Sequence, residues 1–115
     1  MEITRAYVKS ILPHRDPEGH KGTFGKVYCL CGAVGYTGAP VLAASAAVRS
    51  GSGLVFLGVP EDIWPIVAVK CDSAMPSPLP SQQGKLALAA EDAVRARIDG
   101  CDAVLIGCGM GPREE

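Results

Sequence analysis

Residues 20–40, HKGTFGKVYCLCGAVGYTGAP, are the stretch from which the fold of this chain can be predicted. A loop with a histidine and a lysine leads into an apolar run, which ends at closely spaced glycines before an alanine-rich segment begins. This order predicts a loop, a buried β-strand, a glycine turn and a helix. Backbone N–H groups at such a strand-to-helix turn point outward and can bind a phosphate or pyrophosphate. The run is therefore a candidate ligand-binding site.

Length and charge limit the classes of protein to which this site can belong. With 115 residues, 48% of them hydrophobic, the chain is large enough for one core, and we expect residues 1–115 to form part of a single domain. The formal net charge of -1 provides no basic field for nucleic acid or an anionic membrane. No apolar run approaches the length of about 18 residues that a bilayer requires, and the first residues lack a signal-peptide core. We therefore expect a soluble cytoplasmic protein without a nucleic-acid or membrane partner.

The number and spacing of the cysteines indicate free thiols rather than disulfides. The chain has 5 of them, an odd number, without a CxxC pair. Cys29 and Cys31 are two apart in the apolar run, so on a strand both side chains face the same way. They are either a metal-binding pair or two small buried residues. Because zinc requires about four ligands and no His or Cys cluster accompanies the pair, we favour the buried interpretation and predict no metal site.

The first half of the chain alternates short apolar runs with helical patterns. Residues 27–31 form the first predicted strand, and the alanine-rich residues 37–49 form the first helix, with Thr37 as its N-cap. A second strand at residues 54–59 is followed by a short helix over residues 61–69.

The next segment, residues 72–83, contains prolines two residues apart, which exclude a helix there. We expect a surface connection with at most a short edge strand at residues 74–75. Apolar positions at helical spacing then predict a long helix over residues 84–98, which Gly100 ends. The last predicted strand covers residues 102–106.

Strands that alternate with helices at this spacing predict an α/β fold, in which a parallel sheet is covered by helices on both faces in three layers. Ligands bind such sheets at the carboxyl ends of the strands. Two glycine-rich loops, residues 32–38 and 107–111, follow strands at that edge, so we expect them to share one site. A sheet of four or fewer strands with an open edge is unusual, and we interpret the sequence as a fragment of a longer protein.

Glycine spacing alone does not identify the ligand. Gly32, Gly35 and Gly38 match neither the GxGxxG of dinucleotide-binding folds nor the GK[ST] ending of a P-loop. The loop is then either a phosphate site or a tight turn without a ligand. His20 and Lys21 are likewise either phosphate contacts or members of a solvated basic loop.

Three residues after the second strand also admit two interpretations each. Glu61 and Asp62 lie where a Rossmann fold places the carboxylate that binds a ribose hydroxyl, but acidic residues at a helix N-terminus explain them equally well. Trp64 is either a stacking partner for a base or, as we favour, a core residue. The sequence presents no Ser-His-Asp, Cys-His or paired-carboxylate constellation from which catalysis can be argued.

Several motifs in a fixed order are more specific than any single loop. They are HKGTFGKV at residues 20–27, GYTGAP at 35–40, RSGSGLV at 49–55 and GCGMG at 107–111. In this order they resemble the ATP- or ADP-dependent NAD(P)H-hydrate dehydratase family, whose domain is ribokinase-like, over nearly the whole chain. The resemblance implies a metabolite-repair reaction: hydrated NADH or NADPH is returned to the working cofactor after a nucleotide phosphorylates the added hydroxyl. It also implies ADP or ATP with Mg²⁺, and a homo-oligomer at full length.

By the same resemblance, small residues of two motifs contact the hydrated cofactor: Ala39 in GYTGAP, and Gly109 and Gly111 in GCGMG. The absence of bulky side chains lets a ligand approach the backbone closely there. Further loop residues, without an assigned chemical role, are His20, Lys21, Tyr36, Thr37 and Gly38. One departure is Cys108, where the family usually has proline.

Family members carry the catalytic Asp and the anion hole in a GxGD-like motif of their C-terminal half. These 115 residues contain no such motif. The resemblance therefore implies that the fragment binds the cofactor but is inactive by itself, without catalytic residues of its own.

Other functions stay open beside this one. A ribokinase-like small-molecule kinase shares the scaffold and the use of ATP. A non-catalytic nucleotide-binding remnant would keep the sheet without the chemistry. A Rossmann oxidoreductase is disfavoured because its glycine spacing fails. The substrate discriminates among them, since a dehydratase restores the absorbance of NADH whereas a kinase phosphorylates a sugar or a vitamin.

Overall fold

The computed structural model describes residues 1–112, and its centre is a four-stranded parallel sheet. The strand order across the sheet is third, second, first, sixth, which places the first strand between the second and the last. In chain order the elements are α1 (Arg5–Ile11), β1 (Lys26–Leu30), α2 (Gly38–Arg49), β2 (Leu54–Pro60), α3 (Trp64–Lys70), β3 (Met75–Leu79), β4 (Ser81–Gln82), β5 (Lys85–Leu86), α4 (Glu91–Ile98) and β6 (Ala103–Ile106). The prediction of an α/β fold with a parallel sheet is confirmed.

Helices cover both faces of the sheet. Side chains along each strand point alternately to one face and to the other, so both faces need a covering layer. On one face, α2 and α3 pack over a cluster that includes Cys29, Cys31, Leu57 and Val67, all of them buried. On the other face, α4 and the residues before it pack over Tyr28 and its neighbours. The three layers expected from the sequence are therefore present.

The edge strand β3 is longer than expected. It spans five residues, including Pro76 and Pro78, where the sequence predicted a surface connection with a strand of two residues at most. A proline lacks the backbone N–H that a neighbouring strand would use. Pro76 and Pro78 are two residues apart, so the backbone nitrogens of both face the outer edge, where no strand of residues 1–112 pairs with them. The Trp64 indole N–H donates to the outward carbonyl of Pro76 at 3.0 Å and covers that edge.

The long helix predicted over residues 84–98 is wrong in its first half. Gln83 and Gly84 have φ values of 52° and 75°, which form the turn of a small antiparallel hairpin between β4 and β5. A 3-10 helix, Leu88–Ala90, follows, and α4 begins only at Glu91. The apolar positions that suggested one helix are divided between the hairpin and α4, and both pack against the same face of the sheet.

Two features near helix ends also differ from the sequence analysis. Thr37 occupies the N-cap position of α2, but its backbone is helical and its side chain makes no capping hydrogen bond. The helix α1 was not predicted, and Thr4 caps it by accepting a hydrogen bond from the N–H of Tyr7 at 3.2 Å. Among residues 1–112, no helix is long and apolar enough to cross a membrane.

The substitution Leu57→Ala tests the packing between β2 and α3. Leu57 is fully buried in the cluster on the α2 and α3 face, so truncation leaves a cavity, and we expect a loss of about 2–5 kcal/mol in the free energy of unfolding. Leu88→Ala is the matched control, because Leu88 is 84% exposed and its truncation should cost less than about 0.5 kcal/mol. Urea unfolding followed by circular dichroism measures both, and equal losses would contradict this packing.

Candidate functional site

The two glycine-rich loops meet at the carboxyl ends of β1 and β6. These strands are parallel neighbours in register, so the loops after them leave the sheet side by side. The N–H of Gly32 donates to the carbonyl of Cys108 at 3.0 Å, and the N–H of Gly107 donates to the carbonyl of Leu30 at 2.9 Å. The expectation that both loops lie at one place is confirmed.

Gly109 is the point of closest approach between the loops. A Cβ atom built on it would lie 2.7 Å from the Cβ of Ala39 and 2.9 Å from the Cβ of Tyr36. Its φ of 64° is in the left-handed region, which also favours glycine. The structure thus brings together Ala39, Tyr36 and Gly109, three of the residues selected from the sequence.

The turn between β1 and α2 is open on its outer side. A Cβ at Gly35 or Gly38 would meet no atom within 4 Å, and half of the Tyr36 side chain is exposed. Backbone N–H groups next to such open positions are accessible to an anionic ligand. This surface suits a ligand that lies against the backbone rather than in a closed pocket.

Cys108 has a positive φ of 68° between two glycines that are also in the left-handed region. A proline ring fixes φ near about −65°, so a proline at this position could not adopt the backbone course seen here. At residue 108 the loop therefore follows a course that the proline expected from the resemblance would not allow.

A third element, the β4–β5 hairpin, also borders the site. The sequence analysis did not predict this hairpin. The N–H of Val34 donates to the carbonyl of Gly84 at 2.8 Å, which attaches the hairpin to the first glycine loop. The Lys85 stem lies 3.2–3.4 Å from the position of a Cβ on Gly111, and its ammonium donates to the carbonyl of Pro112 at 2.9 Å. Gly84 was the available signal, because glycine favours turns over helix interiors, and it could have placed Lys85 on a hairpin instead of a helix.

His20 and Lys21 are not brought to the glycine loops. They precede β1, whereas the glycine loops follow its carboxyl end. The Nδ1 atom of His20 accepts from the N–H of Gly22 at 3.1 Å, and a Cβ at Gly53 would overlap the carbonyl oxygen of Lys21. Their loop therefore packs at the amino end of the sheet, against the residues that lead into β2.

The residues after β2 have structural contacts. Asp62 accepts a short hydrogen bond from the hydroxyl of Ser81, which connects the start of α3 to the hairpin. Trp64 uses its indole N–H on the edge strand, and its side chain is about one third exposed. Neither Glu61 nor Asp62 caps α3, whose N-cap residue is Ile63.

The thiols beneath the site are buried and reduced. Cys29 and Cys31 are both 0% exposed, and the Cys31 thiol donates to the carbonyl of Gly107 at 2.7 Å. Burial, with smaller effects of Cys29 and Cys108, raises the pKa of Cys31 to about 12. Within residues 1–112, no three His, Cys, Asp or Glu side chains are grouped as a metal site requires.

Comparison with known proteins identifies the family to which this chain belongs. The sequence model described as NAD(P)H-hydrate dehydratase matches residues 27–115, and the chain belongs to this family. It is 39% identical over 109 residues to the bifunctional NAD(P)H-hydrate repair enzyme of Moorella thermoacetica, a match that covers 94% of this chain and 21% of that protein. The chain thus spans about a fifth of the length of this curated relative.

Solved structures show the same architecture. A Streptococcus mutans protein is 31% identical with a TM-score of 0.74, over 99% of this chain and 38% of its own. The ADP/ATP-dependent NAD(P)H-hydrate dehydratase of Bacillus subtilis, co-crystallised with ATP/Mg²⁺, is 25% identical with a TM-score of 0.64, over 97% of this chain and 49% of its own. A ribokinase-like superfamily protein of Enterococcus faecalis has the same fold, with a TM-score of 0.74 and 21% identity over 96% of this chain and 36% of its own. The ribokinase-like fold expected from the motifs is therefore confirmed.

Gly109→Ala tests the contact between the loops. The added methyl group collides with Ala39 and Tyr36, so we expect the loops to separate and the free energy of unfolding to fall by about 1–3 kcal/mol. Gly107→Ala is the matched control, because Gly107 also has a positive φ but a Cβ there meets no atom within 4 Å. Urea unfolding and the amide NMR shifts of Tyr36 and Ala39 provide the measurement. Unchanged amide shifts of Tyr36 and Ala39 in Gly109→Ala would contradict the close approach.

Cys31 predicts an alkaline loss of stability. The unfolded thiol titrates at about 8.5, whereas the folded one titrates at about 12. Between these values the unfolded state has lost the proton and the folded state keeps it, so the free energy of unfolding falls as pH rises. Cys31→Ala lacks this titration and should show a shallower decline when urea midpoints are compared from about pH 8 to 10.5. Parallel declines would show that the thiol is not buried as described.

Proposed function

We propose that the protein carrying this chain dehydrates hydrated NADH or NADPH in an ADP- or ATP-dependent repair reaction. Membership of the NAD(P)H-hydrate dehydratase family supports this activity. In the proposed reaction the added hydroxyl takes a phosphoryl group from the nucleotide. The phosphate then leaves with its C–O bond broken, and loss of a ring proton restores the double bond.

The contact between Ala39 and Gly109 is the observation that carries the proposed binding role. Two loops from neighbouring strands meet there through a methyl group and a glycine, beside the open backbone at Gly35. A planar ring system can approach the main chain at such a place, where larger side chains would prevent it. We assign Ala39, Gly109 and Gly111 to the hydrated nicotinamide half of the substrate, with Tyr36, Thr37 and Gly38 at its border.

The proposed chemistry needs groups beyond those of the described site. Phosphoryl transfer requires a carboxylate that accepts the hydroxyl proton and donors that stabilise the transferred group. The chain covers 21% of the M. thermoacetica enzyme and 49% of the B. subtilis enzyme, which was co-crystallised with ATP/Mg²⁺. We therefore assign binding of the hydrated cofactor to residues 1–115, as part of one ribokinase-like domain, and the catalytic Asp, the anion hole and Mg²⁺ to other parts of such a domain. A cytoplasmic homo-oligomer belongs to the same proposal.

Turnover of hydrated NADH tests this function. We expect the native protein that carries this sequence to restore NADH absorbance when ADP or ATP is added, and Ala39→Leu to abolish substrate binding because the larger side chain fills the space beside Gly109. Ser45→Leu, at an exposed position of α2, is the control and should keep the wild-type KM. ATP-dependent phosphorylation of a sugar or vitamin, without turnover of hydrated NADH, would favour the kinase alternative. Unchanged affinity in Ala39→Leu would remove Ala39 from the site.

A further inference from the structure

Lys85 is the one Lys or Arg among the described loops at the carboxyl edge of the sheet. These loops are residues 31–39, 60–64, 79–88 and 107–112. The same edge carries the carboxylates of Glu61 and Asp62. A dinucleotide brings at least two negative charges on its phosphates, and a positive side chain beside the backbone donors offsets their repulsion. The charge distribution of this edge therefore points to Lys85.

Lys85 is held at the border of the proposed binding loop. The hairpin that carries it is attached through Gly84 to Val34, and its aliphatic stem lies against Gly111. The ammonium is next to the carbonyl of Pro112, at 2.9 Å. The charged end of Lys85 therefore lies where the hairpin meets the loop after β6.

A cavity of about 350 Å³ lies at this border. Its lining residues include Lys85, Gln82 and Gln83, together with Leu86, Leu88 and Pro112. Ligand sites in proteins have volumes of about 300–1,000 Å³, so this cavity can take a phosphate group together with part of a sugar. The two amides supply further hydrogen-bond donors for phosphate oxygens.

We propose that Lys85 binds a phosphate group of the dinucleotide, in the cavity between residues 82–88 and Pro112. The inference rests on the proposed function, since it concerns the same site. It adds the hairpin to the two glycine loops as a third wall and assigns that wall to the phosphates rather than to the nicotinamide ring.

Three substitutions in the native protein test the role of the charge. Lys85→Met keeps a stem of similar length against Gly111 and removes the charge, whereas Lys85→Arg keeps the charge. Lys70→Met removes one positive charge from the exposed end of α3, which lies at the opposite edge of the sheet. Fluorescence titration with NADH gives Kd, competition by inorganic pyrophosphate locates the anion site, and turnover of hydrated NADH gives KM and kcat separately.

For Lys85→Met we expect Kd and KM to rise by about tenfold or more, with kcat within about twofold of wild type, because the lost contact is to a phosphate and not to the reacting ring. The dependence of Kd on KCl concentration should also weaken. Lys85→Arg and Lys70→Met should remain near wild type. Unchanged pyrophosphate competition in Lys85→Met would overturn the inference.

The outcomes separate this inference from the proposed function. If hydrated NADH is turned over and Lys85→Met has wild-type Kd and KM, the function stands and the role of Lys85 fails. If no turnover occurs but NADH binding depends on Lys85, the function fails and the phosphate site stands. If the wild-type protein binds neither NADH nor pyrophosphate, both are overturned.

Discussion

The parallel pairing of β1 with β6 is the constraint on which the rest of this structure depends. The two strands are separated by more than seventy residues of sequence, yet they lie side by side in register. Parallel strands end at the same edge, so this pairing brings the loops after them together. The hydrogen bond from Gly32 to Cys108 continues the pairing beyond the strands and brings Gly109 against Ala39. Without this register the GYTGAP and GCGMG motifs would have no common surface.

Residues without side-chain chemistry dominate the candidate site. Its closest contact joins a methyl group to a glycine, and the cysteine beneath it is fully buried with its pKa raised to about 12, which keeps it protonated at neutral pH. Such a surface positions a ligand through shape and main-chain donors. The hairpin adds what the two glycine loops lack, a positive charge on Lys85. The described residues thus combine a neutral surface with one charged border.

The sequence was sufficient where a pattern repeats within one element or matches a motif. The apolar runs that became β1, β2 and β6, and the alanine-rich α2, were located to within one residue at every end. Prediction failed where tertiary packing decides between two local structures. Residues 84–90 have helical apolar spacing, but the positive φ of Gln83 and Gly84 turns the chain into a hairpin, and the sheet face supplies the burial that a helix would have gained. Lys85 was missed for the same reason, since only the hairpin brings it to Gly111.

The stretch from residue 20 to residue 40 has two separate roles, because β1 lies between its halves. The first half, with His20 and Lys21, closes over Gly53 at the amino end, where the carbonyl of Gly25 accepts from the N–H groups of both Gly53 and Leu54. A backbone contact this close leaves no room for a side chain at residue 53. This explains the second glycine of the RSGSGLV motif. The second half, from Gly32 onward, forms the open turn at the carboxyl end. The two motifs on this stretch therefore act at opposite ends of one strand: HKGTFGKV fixes the start of β2 beside β1, and GYTGAP uses that fixed strand to present Ala39 to Gly109.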